Sequence, residues 1–117
     1  MTKEQSLEIR QKMADWAAKF DWNKITTTKS EYIEINHSTA FGYTIEVCRG
    51  KFHIRESNLC IRPLFTVANG VGSASTEYGF EYETERLVRN WQYVKSKIIL
   101  FFENEEKLSE KIAHFEA

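Results

Sequence analysis

FGYTIEVCRGKFHIRESNLCIRPLFTV, residues 41–67, decides the fold, because its apolar spacing and its turns constrain one another. Phe41, Tyr43, Ile45 and Val47 alternate with Gly42, Thr44, Glu46 and Cys48, and a period of two puts the first set on a core face. Phe52 and Ile54 alternate in the same way with Lys51, His53 and Arg55. A two-residue turn at Arg49-Gly50 sets Val47 opposite Phe52 and Ile45 opposite Ile54, so that all four share a face. A three-residue loop would put half of them in water. By the same logic a turn at Ser57-Asn58 sets Ile54 opposite Ile61 and Phe52 opposite Pro63, with Leu59, Phe65 and Val67 extending the apolar face. Proline has no N–H for a ladder, so a bulge or a break is expected at Pro63.

Outward from this meander, Thr76, Tyr78, Phe80 and Tyr82 alternate with Glu77, Gly79, Glu81 and Glu83. This run is expected to be the fifth strand, with Val67 meeting Thr76 across an eight-residue loop and Arg62 facing Glu81. The small-residue run 69–75 is then a hairpin tip, and its G-x-G lacks the helix start that phosphate binding needs. Before the meander, Ile33 and Ile35 mark a first strand over Glu31–Asn36, followed by a loop at His37–Ala40.

Helices flank the strands. Thr2 and Gln5 form a capping box for a helix over Lys3–Phe20, whose Ile9, Met13, Trp16, Ala17 and Phe20 make one apolar stripe. Asp21–Ser30 reads as a connector anchored by Trp22 and Ile25. From Thr84, a plausible N-cap, Leu87, Trp91, Val94, Ile98 and Phe101 repeat at four and three, and Val88, Ile99 and Phe102 widen that stripe. It narrows beyond Asn104 to Leu108, Ile112 and Phe115. An unbroken helix from Thr84 to Phe115 would be about 48 Å long, more than a sheet of six- to eight-residue strands can cover. Either the helix breaks near Asn104 and folds back, or its end pairs with a second copy to make a homodimer. The expected fold is therefore one α+β domain over residues 1–117, with an N-terminal helix, a five-stranded antiparallel meander and a long C-terminal helix. Both helices are expected on one sheet face.

Composition narrows the function. The chain has 117 residues, 42% hydrophobic and 28% charged, enough for one core without staples. With 16 basic and 17 acidic residues there is no electrostatic reason to expect nucleic acid or an anionic membrane as partner. The opening MTKEQSLEIR has no apolar signal region, and the expected register holds Cys48 and Cys60 too far apart for a disulfide. A cytoplasmic protein with free thiols is expected.

The polar sheet face gathers Glu46, His53 and Arg62 in one row and Thr44, Arg55 and Cys60 in the next. Glu46, His53 and Cys60 are metal-ligand types, but no HxH, HExxH or CxxC spacing supports a site, so no metal or cofactor is expected. A Cys–His nucleophilic pair lacks an orienting group and an oxyanion hole, so no catalytic residue is expected. Trp16 and Trp91 lie on core stripes, whereas Trp22, beside Lys24 and Lys29, is the tryptophan whose placement no stripe forces.

The leading expectation is a small non-enzymatic interaction protein of the adaptor, secretion-chaperone, immunity or inhibitor kind. It would bind a protein partner through the open sheet face or the C-terminal helix, with Trp22, His53, Arg55, Arg62, Leu108, Ile112 and Phe115 as candidate contacts. The alternative is a small-molecule or lipid carrier whose pocket lies between a curved sheet and the C-terminal helix, among Tyr43, Phe65, Phe80, Tyr82 and Trp91.

Overall fold

The structure is a computed structural model. It describes the backbone of residues 2–34, 42–56, 63–76 and 81–116, with side chains at all of these but 34, 56, 81–83, 109, 112, 113, 115 and 116. Its elements run in the order α1 (Lys3–Ala17), β1 (Lys29–Glu34), β2 (Gly42–Cys48), β3 (Lys51–Glu56), β4 (Pro63–Ala68), β5 (Val71–Ala74), α2 (Glu81–Arg89) and α3 (Trp91–Glu116). The five strands form one antiparallel sheet in the order β1-β2-β3-β4-β5, an open α+β fold.

The Arg49-Gly50 turn is as expected. Both residues have positive φ, 45° and 81°, the signature of the type I′ turn that matches strand twist. Val47 therefore faces Phe52, Ile45 faces Ile54 and Glu46 faces His53. A second turn of the same kind follows at Asn69-Gly70, with φ of 55° and 78°. It ends β4 at Ala68 and starts β5 at Val71, so Val67 meets Gly72 rather than Thr76; of the strand expected over Thr76–Glu83, residues 77–80 lie outside the described residues. Its C-terminal part instead opens α2, with Glu81 as the first helical residue. The expected Arg62–Glu81 strand pair is thereby lost, and Arg62 itself lies outside the described residues.

The β3–β4 register also corrects the expectation. Phe52 faces Val67 and Ile54 faces Phe65, four residues along from the partners expected across Ser57-Asn58. The register shifts between Ile54 and Arg55, so that Arg55 faces Pro63, the proline at which a bulge was expected. Leu64 is the extra residue of the bulge, and it is fully buried in the core beside Phe65.

The core lies on one sheet face. Ile33, Tyr43, Ile45, Val47, Phe52, Ile54, Phe65 and Val67 meet Met13, Ala14 and Ala17 of α1, Leu87 of α2, and Val94, Ile98, Phe101 and Phe102 of α3. Rings link the layers. Trp91 meets Trp16 at 5.5 Å, Trp16 meets Phe20 at 5.2 Å, and Phe20 meets Phe102 at 5.0 Å. Phe102 meets Trp22 at 5.0 Å, and Trp22 stacks on Phe52 at 4.3 Å.

Helix α1 starts at the expected capping box: Gln5 N donates to Thr2 Oγ1 and Thr2 N donates to Gln5 Oε1. It ends at Ala17, before Phe20. There the Trp22 indole N–H donates to the Ala17 carbonyl at 2.8 Å, and Asp21 caps a single 3-10 turn over Trp22–Lys24. The helix lies along β4 and β5, where Gly72 admits it: a Cβ at Gly72 would collide with the Ala14 carbonyl. From α1, Gln11 Nε2 donates to the Gly72 carbonyl at 2.8 Å, and Gln11 Oε1 accepts from Ala74 N at 3.0 Å. One side-chain amide thus does for the β5 edge what a further strand would do. Asp15 accepts from the same Nε2 and holds it in place.

The C-terminal helical region breaks at Asn90, not at Asn104. Asn90 Nδ2 donates to the Arg86 carbonyl at 2.9 Å while the Asn90 carbonyl accepts from Val94 N. Thr84, expected as an N-cap, lies inside α2, buried, and accepts from Ser6 Oγ at 2.7 Å. Past the break α3 runs unbroken for 26 residues, about 39 Å. A strand of six residues spans about 20 Å, so α3 outreaches the sheet, and the molecule is 51 Å along its longest axis.

Candidate functional site

Two surfaces have side chains that the core does not use. The first is the open face of the sheet. The registers set Ser30, Glu46, His53, Thr66 and Ser73 directly opposite one another, a polar row across all five strands. Glu46 is its hub. One carboxylate oxygen accepts from His53 Nε2 at 2.9 Å, and the other accepts from Arg55 Nη2 at 2.8 Å and Ser30 Oγ at 3.2 Å. The pairing of Glu46 with His53 follows from the Arg49-Gly50 turn, whereas Arg55 reaches Glu46 diagonally.

Burial holds the His53 imidazole below its ordinary value of 6.5; Glu46 opposes this, and Arg55 and Lys51 add to it. The neutral ring donates from Nε2 to Glu46, which leaves the lone pair on Nδ1. Nδ1 is buried and has no hydrogen-bond partner among the described residues. Cys48 lies on the same face, exposed and free, and accepts from Thr28 Oγ1 at 3.3 Å. Among the described residues no group of three His, Cys, Asp or Glu could hold a metal ion. As it stands the row is a hydrogen-bonded network centred on the Glu46–Arg55 ion pair, with His53 Nδ1 left over. Cys60, expected in the adjacent row, lies outside the described residues.

The second surface is α3. Its inner stripe is pinned to the body as far as Glu105 and Glu106. Glu105 is buried, bound to Lys29 Nζ at 3.0 Å and to Thr27 Oγ1 at 2.8 Å, and Lys24 Nζ meets Glu106 at 3.0 Å. The Lys29 ammonium also lies 5.6 Å from the Phe101 ring centre. Beyond Glu106 every described side chain is exposed. Leu108 is 45% exposed although it continues the side that buries Val94, Ile98 and Phe101. The backbone positions of Ile112 and Phe115 follow on α3, with side chains outside the description. On the outer side Tyr93 and Leu100 are 48% and 49% exposed. Neither was a candidate from sequence, although two large apolar residues seven apart on the side facing away from the stripe are the signal that would have found them.

Of the other sequence candidates, Trp22 is corrected. It is buried between Phe52 and Phe102 with its N–H satisfied, so it is an anchor of the core and is not on the surface that a partner could meet. His53 and Arg55 are brought together by Glu46, and Leu108 is exposed on α3 just past the contacts of Glu105 and Glu106 with the body. Among the described residues no helix is long and apolar enough to cross a membrane. No protein-family model matches the chain, and neither a curated protein nor a solved structure is significantly similar to it.

Proposed function

We propose that the protein is a cytosolic, non-enzymatic protein-interaction module whose docking element is α3. The observation behind this is Leu108: the same side of one continuous helix is buried through Phe101 and then exposed at Leu108, past the last contacts with the body. An apolar stripe that outlasts the core beneath it is the form in which a helix offers itself to another protein. The Glu46–His53–Arg55 network, whose carboxylate is already engaged on both oxygens, gives the open sheet face a smaller part, that of a polar flank. A carrier reading has less behind it, because Tyr43 and Phe65, which would line the cavity, are fully packed core residues.

A photo-crosslinking amino acid at Leu108, in the intact chain and in its native host, tests the reading. The expected result is a discrete protein adduct at this position and none from the same probe at Val71, an exposed apolar position on β5. Adducts of equal yield at both positions, or at neither, would overturn it.

A further inference from the structure

Asn69 is the asparagine whose following backbone N–H no side chain screens. Asn23, Asn36, Asn58, Asn90 and Asn104 precede Lys, His, Leu, Trp and Glu, and a side chain there hinders attack by the N–H that follows. Asn69 and Gly70 are both exposed at the tip of the β4–β5 hairpin, and the space around Gly70 is open: a Cβ there would meet nothing within 4 Å. A carboxamide beside an unhindered glycine N–H, in water, is the arrangement in which asparagine loses ammonia without an enzyme.

The closed turn holds that reaction back. Ring closure needs Gly70 N eclipsed with the Asn69 Cα–Cβ bond, so that it can reach Cγ. Asn69 has a φ of 55°, and a type I′ turn pairs this with a ψ of about +30°, which leaves Gly70 N and Asn69 Cβ nearly anti. The tip must therefore open before it reacts. Opening is opposed on one side of β5 by its ladder to β4, and on the other by Gln11, which bonds the Gly72 carbonyl at 2.8 Å and Ala74 N at 3.0 Å. As β5 has only four residues, this clasp is a large share of what holds it.

We infer that Asn69 is a site of spontaneous covalent modification, a deamidation gated by the β4–β5 hairpin and its Gln11 clasp, and that it converts the guarded β5 edge into an open one. In the opened turn Gly70 N gives up its proton and attacks Asn69 Cγ. The N–Cγ bond forms, the Cγ–Nδ2 bond breaks, and Nδ2 leaves with a proton as ammonia. Water then opens the five-membered imide. Attack at Cγ gives an aspartate, and Asp-Gly fits the same turn. Attack at the main-chain carbonyl gives an isoaspartate, with the chain routed through Cγ and one backbone atom longer. A two-residue turn cannot absorb that atom while Ala68 still faces Val71, so β5 loses its register with β4 and its bonds to Gln11, and its ladder groups are exposed.

Incubation of the intact folded chain in neutral buffer, followed by proteolysis and mass spectrometry, should show a gain of one dalton at Asn69 before any other asparagine. Methylation by S-adenosylmethionine and an isoaspartate methyltransferase should mark the isoaspartate there. Gln11→Ala should speed the reaction about fivefold, as the loss of its hydrogen bonds allows, whereas Ile33→Val, a loss of core packing on β1 at the far edge, should leave it unchanged. In the unaltered chain, urea below the unfolding midpoint should already speed it, because the tip opens before the core. The Ala74 amide should exchange its hydrogen faster in the isoaspartyl form than in the parent chain, and Asn69→Asp should keep it slow. No gain at Asn69 by the time a urea-unfolded sample is fully converted, or an earlier gain at another asparagine, would overturn the site. A rate that follows only global unfolding, or that Gln11→Ala changes no more than Ile33→Val does, would overturn the gate. An Ala74 amide as slow after isoaspartate formation as before would overturn the opening of the edge.

Discussion

His53 holds its ring proton against Glu46 and keeps the opposite nitrogen out of water, so its preference for the neutral form should be visible in the stability of the whole protein. Burial lowers its pKa below the ordinary 6.5 in the folded chain. The unfolded chain therefore takes up the proton first as pH falls. Its contribution to stability is complete above about pH 6.5 and is lost as pH falls through the lower folded value. The urea midpoint should fall between about pH 7.5 and about pH 5, and His53→Gln should remove part of that fall. An equal fall in both proteins would show that other groups account for it. How His53 meets Glu46 was legible in the sequence, because a tight turn fixes its neighbours directly. Arg55 was placed in the right row but not in its contact, since a long side chain can choose the diagonal carboxylate over the Thr44 it faces. Trp22 admitted two readings because a connector has no period, and only the ring stack on Phe52 decides between them.

The strands show where periodicity stops deciding. A slip by one residue turns every side chain to the other face, but a slip by four turns none, so both pairings of β3 with β4 bury Phe52, Ile54, Phe65 and Val67. Apolar alternation could therefore fix the face of β4 and not its partner. Turn chemistry fixes the pairing of β4 with β5. Asn69-Gly70, with both φ values positive, is a strong hairpin pair, and it outweighs the longer alternation of Thr76–Glu83, which lacks such a turn. The two glycines here should respond differently. At Gly70 a Cβ meets nothing within 4 Å, so Gly70→Ala should cost only the backbone strain of a positive φ, about 1–2 kcal/mol. Gly72→Ala must push α1 off the sheet and should cost more, about 2–4 kcal/mol, as overpacking against backbone allows little relief. Urea unfolding of the two variants checks the order, and Gly70→Ala being the more damaging would contradict the Ala14 contact.

Across the whole molecule, α3 is governed by Glu105, a charged residue in the middle of an apolar stripe. Read as sequence it interrupts the repeat. In the fold it is the point where the stripe changes task, buried and tied to Lys29 and Thr27 just before the helix leaves the body. Lys29→Ala would leave that carboxylate buried without its cation and should cost about 1–3 kcal/mol in urea unfolding, a range that allows for the half-exposed lysine. Glu105→Leu should stay within about 1 kcal/mol of the natural chain, because replacing a buried ion by an apolar side chain removes the penalty together with the bond. A Glu105→Leu protein much less stable than Lys29→Ala would show that the pair does more than satisfy itself. The Gln11 amide on the β5 edge has a consequence of a different kind, in time. At roughly 5–20 residues per second on the ribosome, β5 follows Gln11, 61 positions earlier, by about 3–12 s. Helix α1 thus waits for the strand it will shield, and the hairpin of β4 and β5 emerges with its guard already made, so that its edge need never meet a neighbouring nascent chain unprotected.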